Sequence, residues 1–170
     1  MNLANYIRDV VDFPQPGVTY KDITPLLGNP AAYKEAVIQL SNTLVQLGVQ
    51  KIVGIESRGF IFGASLAERL EAGFVPVRKK GKLPFRTLQR EYELEYGTDC
   101  LEIHQDAILP GEKVVVHDDV LATGGTAAAA CDLVRQLGGE IVQVSFLVEL
   151  TFLNGREKIT QYPVFSLTTF

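Results

Sequence analysis

At 170 residues the chain is long enough for one domain with one sizeable hydrophobic core. Its 16 Lys and Arg against 20 Asp and Glu leave a net charge of −4, which argues against a dedicated nucleic-acid surface. No apolar run is long enough for a membrane span and residues 2–9 lack a signal-peptide pattern. Two distant cysteines suggest neither a zinc site nor a disulfide framework, so a reducing cytoplasm is the expected compartment.

Leu3, Tyr6, Ile7, Val10 and Val11 recur at helical spacing and predict a short amphipathic opening helix. Asn29 and Pro30 read as N-cap and first residue of a second helix, with Tyr33, Val37, Leu40, Leu44 and Leu47 inward and Gly48 at its end. Residues 51–55 read as a buried strand. The loop Glu56-Ser57-Arg58-Gly59 follows, then a helix facing inward through Phe60, Ala64, Ala67 and Leu70. Residues 74–77 are the next strand. A basic segment bearing Gly and Pro runs from Arg78 to Arg90, of which Leu83 onward reads as a mobile flap able to exclude water from a reactive centre. Residues 92–96 and 101–104 alternate apolar and polar side chains, as in a hairpin exposed on one face. Strands at 114–118, 141–150 and 164–167 and a helix from Thr126 to about Leu137, with Cys131 as a small buried thiol, complete the pattern. Alternating strands and helices predict an α/β fold with a parallel sheet covered on both faces. Sites then fall at the C-terminal ends of the strands.

The most informative stretch runs from Val114 to Thr126. A β-branched run ends in Asp118 and Asp119, passes through Val120-Leu121-Ala122-Thr123-Gly124-Gly125 and enters a helix at Thr126. Backbone N–H groups of residues 122–126 can converge there on an anion, helped by the helix dipole and the Thr hydroxyls. Gly124 and Gly125 let the backbone approach its guest closely. Two carboxylates repel a phosphate, so Asp118 and Asp119 suit hydroxyl groups or a hydrated divalent cation. A phosphate with a vicinal diol beside it, as in ribose 5-phosphate, fits both halves. A P-loop would close on Gly-Lys-Ser/Thr, and the Lys is missing here. A dinucleotide fold would put its acid after the glycines rather than before them. An ordinary strand-to-helix turn capped by Thr123 or Thr126 leaves the paired acids without a purpose.

Ser57-Arg58-Gly59 offers one guanidinium beside open amides, a fork suited to two oxyanions such as those of a pyrophosphate. A cation at a helix start is mildly unfavourable unless an anion compensates it. Glu56 has no role assignable from spacing. Arg78, Lys79 and Lys82, just after a strand, are placed to gather a highly phosphorylated ligand, whereas Lys80 reads as a solvated charge. Of the two histidines, His104 and His117, neither has metal-ligand spacing, and His117 reads as a strand-filling residue.

Residues 117–126 resemble the 5-phosphoribosyl-1-pyrophosphate (PRPP) signature of the type I phosphoribosyltransferases. Further segments resemble the adenine-using branch of that family: Phe13-Pro14-Gln15-Pro16-Gly17-Val18, Lys21-Asp22-Ile23-Thr24-Pro25-Leu26-Leu27, Glu56-Ser57-Arg58-Gly59-Phe60, Arg78-Lys79-Lys80-Gly81-Lys82-Leu83-Pro84 and Leu94-Glu95-Tyr96-Gly97. Val148-Glu149-Leu150 with Gly155-Arg156-Glu157-Lys158 resembles it as well, so the likeness covers nearly the whole chain.

The resemblance implies a single domain over 1–170: an N-terminal hood at 1–30 and a core at 31–170, with a flap hairpin at about 80–104. It implies transfer of the phosphoribosyl group from PRPP to adenine, giving AMP and pyrophosphate through a transition state of oxocarbenium character. Mg²⁺ would be held by PRPP and water, with no direct protein ligand. Asp118, Asp119, Leu121, Ala122, Thr123, Gly124, Gly125, Thr126, Ser57, Gly59, Arg78, Lys79, Lys82 and Tyr96 would bind PRPP. Arg58 would stabilise the leaving pyrophosphate. Glu95 would handle the purine proton, although a solvent-facing charge on an exposed strand is its other reading. Val18, Tyr20 and main-chain groups at Lys21 would hold the base; the family usually carries Arg at this last position and an apolar residue at His117. A homodimer, with no nucleic-acid or membrane partner, is also implied. A 6-oxopurine or orotate phosphoribosyltransferase would share the central loop but differ in hood and flap, and a PRPP-sensing regulator would keep the loop without the reaction.

Overall fold

Asn2 starts the chain as a cap rather than as the entry to an amphipathic helix: its side chain accepts from the Ala4 amide and closes only a 3-10 turn over Leu3–Tyr6. Ile7 is already extended, and β1 (Arg8–Val11) then pairs antiparallel with β2 (Thr19–Asp22), setting Val10 opposite Tyr20 and Val11 opposite Thr19. The expected opening helix is therefore replaced by a hairpin. The β-branched pair at 10 and 11 suits a strand, and the return strand supplies partners that helical spacing could not reveal. Ion pairs Arg8–Asp22 at 2.5 Å and Lys21–Asp9 at 2.6 Å lie across it.

The computed structural model describes residues 1–93 and 97–170, which divide into the units Met1–Gln39 and Leu40–Phe170. In the first, α1 (Thr24–Leu27) follows the hairpin. α2 (Pro30–Asn42) starts where expected, with the Asn29 side chain accepting from the Ala32 amide at 3.0 Å. Its buried stripe runs through Ala32, Ala36 and Leu40, one position from the expected Tyr33 and Val37. The helix ends at Asn42, and Gly48 instead closes a separate 3-10 turn over Val45–Leu47.

The second unit is built on a seven-stranded sheet in the order β5-β6-β4-β3-β7-β8-β9. β3 (Lys51–Ile55), β4 (Gly73–Lys79), β7 (Lys113–Leu121), β8 (Glu140–Glu149) and β9 (Val164–Thr169) run parallel. β5 (Thr87–Glu93) and β6 (Thr98–His104) add an antiparallel edge. β5 starts inside the segment read as mobile flap, so its residues 87–90 are paired strand. α3 (Gly59–Arg69) packs on β3, β4 and β7, and α4 (Gly125–Gln136) on β5 to β8. α3 faces inward through Phe62, Gly63, Leu66 and Ala67, whereas Ala64 is exposed. Val53, Ile55, Val114, Val116, Val144 and Phe146 are almost wholly withdrawn from water. Each such side chain contributes about 1.5–3 kcal/mol. That core sets the C-terminal ends of β3 and β7 side by side.

Candidate functional site

β7 is paired on both sides, which fixes its backbone as far as the acids. Asp119 is 4 % exposed and Asp118 is half-buried. An Asp118 carboxylate oxygen accepts from the Asp119 amide at 2.9 Å. Burial, and then the neighbouring Asp119 charge, push the Asp118 carboxyl well above the usual carboxylate range.

The chain leaves β7 through Ala122 and Thr123 and turns at Gly124, whose φ is 80°. No side chain caps α4, so the first-turn amides stand open toward the turn. A pocket opens there, lined by Asp118, Leu121, Ala122, Thr123, Gly124 and Thr126, with Val120, Ala127 and Phe146 completing its wall. Gly125 is not part of it; it faces the opposite side of α4, beside Glu93 and Lys158.

The second loop reaches the same strand end. Gly59 opens α3 against β7, where a Cβ would come within 2.9 Å of both the Asp118 carboxylate and the His117 carbonyl oxygen. Only a residue without a side chain allows this approach. Arg58 stands at the N-cap of α3 and donates from Nε to the Asp119 carboxylate. The anion that compensates this cation is thus Asp119, which loop spacing alone could not identify. Ser57 is exposed in the same loop, and the Glu56–Ser57 peptide is cis.

Glu56 organises the basic segment. Its carboxylate accepts from the Lys79 amide at 2.9 Å, from Arg78 Nε at 3.3 Å and from Lys82 Nζ. Burial raises its pKa, but the bonds from Lys82, the Lys79 amide and Arg78 outweigh that and bring it down to about 2. Arg78 and Lys82 are therefore gathered at the loop bearing Arg58. Lys79 turns its ammonium away, to Asp99 and to the Tyr92 hydroxyl at 3.2 Å, while Lys80 is exposed.

His117 is fully buried, with Nδ1 bonded to the Ser145 hydroxyl at 2.9 Å and its ring edge-on to Phe62. Burial takes its pKa down to about 3, so it is a neutral strand residue. In the first unit, Val18 precedes β2, the Tyr20 ring meets Phe13 edge-on at 5.3 Å, and Lys21 pairs with Asp9. Glu95 and Tyr96 lie outside the described residues. No group of three or more His, Cys, Asp and Glu side chains converges among the described residues. The available donors, two acids of which one is held by Arg58, suit a Mg²⁺ that keeps its water and phosphate ligands rather than one caged by protein.

The model of the phosphoribosyl transferase domain matches residues 22–168. The chain is 59 % identical to the adenine phosphoribosyltransferase of Flavobacterium johnsoniae over 170 residues, covering all of both chains. It superposes on the crystal structure of adenine phosphoribosyltransferase from Thermoanaerobacter pseudethanolicus with TM-score 0.96 and 52 % identity, covering 99 % of this chain and 98 % of that one. The Saccharomyces cerevisiae enzyme, crystallised with an imino-altritol bisphosphate and adenine, matches with TM-score 0.92 and 42 % identity, covering 97 % and 96 %.

Proposed function

The chain belongs to the phosphoribosyl transferase domain family, and from that premise we propose which of its groups perform the reaction. The chain transfers the 5-phosphoribosyl group of PRPP to adenine, yielding AMP and pyrophosphate. One observation carries the assignment of the site: Asp118 lines the same pocket as the open turn Ala122–Gly124 and Thr126. The turn takes the 5-phosphate on backbone amides and the Thr hydroxyls. Asp118 and Asp119 take the ribose hydroxyls, Asp119 while ion-paired to Arg58.

As the bond from C1 to the pyrophosphate oxygen lengthens, negative charge builds on the leaving group. Arg58 lies at the N-terminus of α3 and stabilises that charge, with Arg78 and Lys82 gathered beside it by Glu56. Lys79 is assigned to PRPP by likeness to the family, although its ammonium is held on Asp99 and the Tyr92 hydroxyl. Ser57, Gly59, Leu121 and Gly125 complete the PRPP-binding set, an assignment that rests on likeness to the family. Mg²⁺, when bound to PRPP, would supply further neutralisation of the pyrophosphate.

Val18, Tyr20 and Lys21 hold the base; by likeness to the family, residues 1–30 are the hood segment and 31–170 the core segment, with the flap at about 80–104. Glu95 handles the purine proton and Tyr96 binds PRPP; both assignments rest on the likeness of residues 94–97 to the family. The homodimer rests on the same likeness. A cytoplasmic location agrees with two free, buried cysteines, and no helix among the described residues is long and apolar enough to cross a membrane. Incubation with PRPP, adenine and Mg²⁺ tests the reading. AMP and pyrophosphate should appear in equal amounts, and failure to release pyrophosphate would overturn it.

A further inference from the structure

Behind the phosphate turn lies a contact between two backbones. A Cβ on Gly124 would fall on the carbonyl oxygen of Gly155 and 3.1 Å from its Cα. A Cβ on Gly155 would in turn fall on the carbonyl oxygen of Ala122 and 2.9 Å from Leu121 Cδ1. Gly155 is buried and opens the 3-10 turn Gly155–Ile159. At both glycines the nearest atom a side chain would meet is a main-chain carbonyl oxygen, which cannot rotate aside as the end of a flexible side chain can.

The next residue ties this turn to the sheet. Arg156 donates from Nε to one Glu149 carboxylate oxygen at 2.6 Å and from Nη2 to the other at 2.7 Å. It also donates from Nη1 to the Val164 carbonyl at 3.1 Å and from Nη2 to the Ser166 hydroxyl at 3.3 Å. Glu149 is 5 % exposed, ends β8 and stands in register with Leu121, the last residue of β7. The Leu150 amide donates to the Leu121 carbonyl at 2.9 Å. One guanidinium fork thus links β8, β9 and the turn on which the phosphate loop rests.

We infer that Gly155, held in place by the Glu149–Arg156 pair, is a positioning residue for the 5-phosphate turn Ala122–Gly124. This rests on the reading that the turn binds the 5-phosphate of PRPP and AMP. None of the three residues lines the pocket, so each acts through the backbone of the loop. Displacement of the turn should weaken every ligand carrying a 5-phosphate and leave adenine, which has none, unaffected.

The test is AMP titration calorimetry, with steady-state kinetics and a thermal melt, on the full chain and on Gly155→Ala and Arg156→Lys. Arg156→Lys keeps the charge but loses the fork. Gly155→Ala should raise the AMP dissociation constant and the KM for PRPP by about tenfold or more. The KM for adenine should stay within about twofold, the scatter of uncoupled sites. Arg156→Lys should shift the same two constants in the same direction, by less, and it decides the question if Gly155→Ala does not fold. Unchanged AMP affinity in a folded variant would overturn the inference and leave the functional reading standing. Equal weakening of AMP and adenine would also overturn it, since a general structural role would then suffice. If the unmodified chain bound no AMP, the functional reading itself would fall, and the inference with it.

Discussion

Arg58 Nε donates to the Asp119 carboxylate across 61 positions of sequence, so the two loops of the site are joined through one ion pair. Asp119 is the more buried partner, its side chain 6 % exposed against 40 % for Arg58. The group proposed to stabilise the leaving pyrophosphate therefore begins the reaction in contact with a group proposed to hold the ribose. As charge develops on the leaving oxygen, the guanidinium has a second anion to serve.

Asp119→Asn preserves shape and removes the charge. Turnover should fall and the KM for PRPP should rise, with the thermal midpoint little altered. Wild-type kinetics in this variant would contradict the role assigned to Asp119.

Arg58→Ala should lower kcat rather than only raise the KM for PRPP. Loss of a contact aimed at developing charge costs on the order of 2–4 kcal/mol, or about thirty- to a thousandfold. Because Arg58 and Asp119 touch, the double variant should be less impaired than the product of the single effects. A coupling of about 0.5–3 kcal/mol is expected from the double-mutant cycle. Strict additivity would show that the two groups act independently.

Glu56→Gln should release Arg78 and Lys82 and raise the KM for PRPP severalfold. The Glu56 pKa is lowered from 4.5 to about 2, so its stabilising contribution is complete above the ordinary carboxylate pKa. That contribution is lost as pH falls from about 4.5 toward 2. Stability followed by circular dichroism should therefore be higher in wild type than in Glu56→Gln by a constant margin above about pH 4.5, and the two should converge as pH falls toward 2.

His117 acts at higher pH. The unfolded imidazole titrates near 6.5 and the buried one near 3, so between those values the unfolded state binds the extra proton. Stability contributed by the neutral ring is complete above 6.5 and is lost as pH falls, by about 1.4 kcal/mol per unit at most. His117→Leu should remove this slope from denaturant midpoints measured between pH 6 and pH 4. An unchanged slope would mean that the ring is accessible to protons in the folded state.

Several of these relationships were legible in the sequence and others were not. Continuous β-branched runs such as Val114–Val116 announced buried parallel strands, and the acid pair followed by a Thr/Gly turn announced a sugar-phosphate site. The hairpin at β1 and β2 was hidden because Leu3, Tyr6, Ile7 and Val10 mimic a helical stripe, while its partner strand lies downstream. The start of β5 was hidden because residues 83–90, in a basic segment bearing Gly and Pro, read as a mobile flap, although Thr87–Arg90 pair with β6. Glu56, Glu149, Arg156 and Gly155 act through contacts distant in sequence, so spacing carried no signal for them. For Gly155 a buried glycine beside the phosphate turn is evident only once β7 and β8 are in register.

The measurement that bears most directly on function is the ratio of kcat/KM for adenine to that for hypoxanthine, with PRPP held saturating. A site that donates to purine N1 and accepts from the 6-amino group leaves buried polar groups unpaired against a 6-oxo base, at about 1–3 kcal/mol each. Adenine should be preferred by at least about thirtyfold, the combined effect of two such mismatches at the low end of that range. Comparable kcat/KM values for the two bases would contradict adenine as the acceptor.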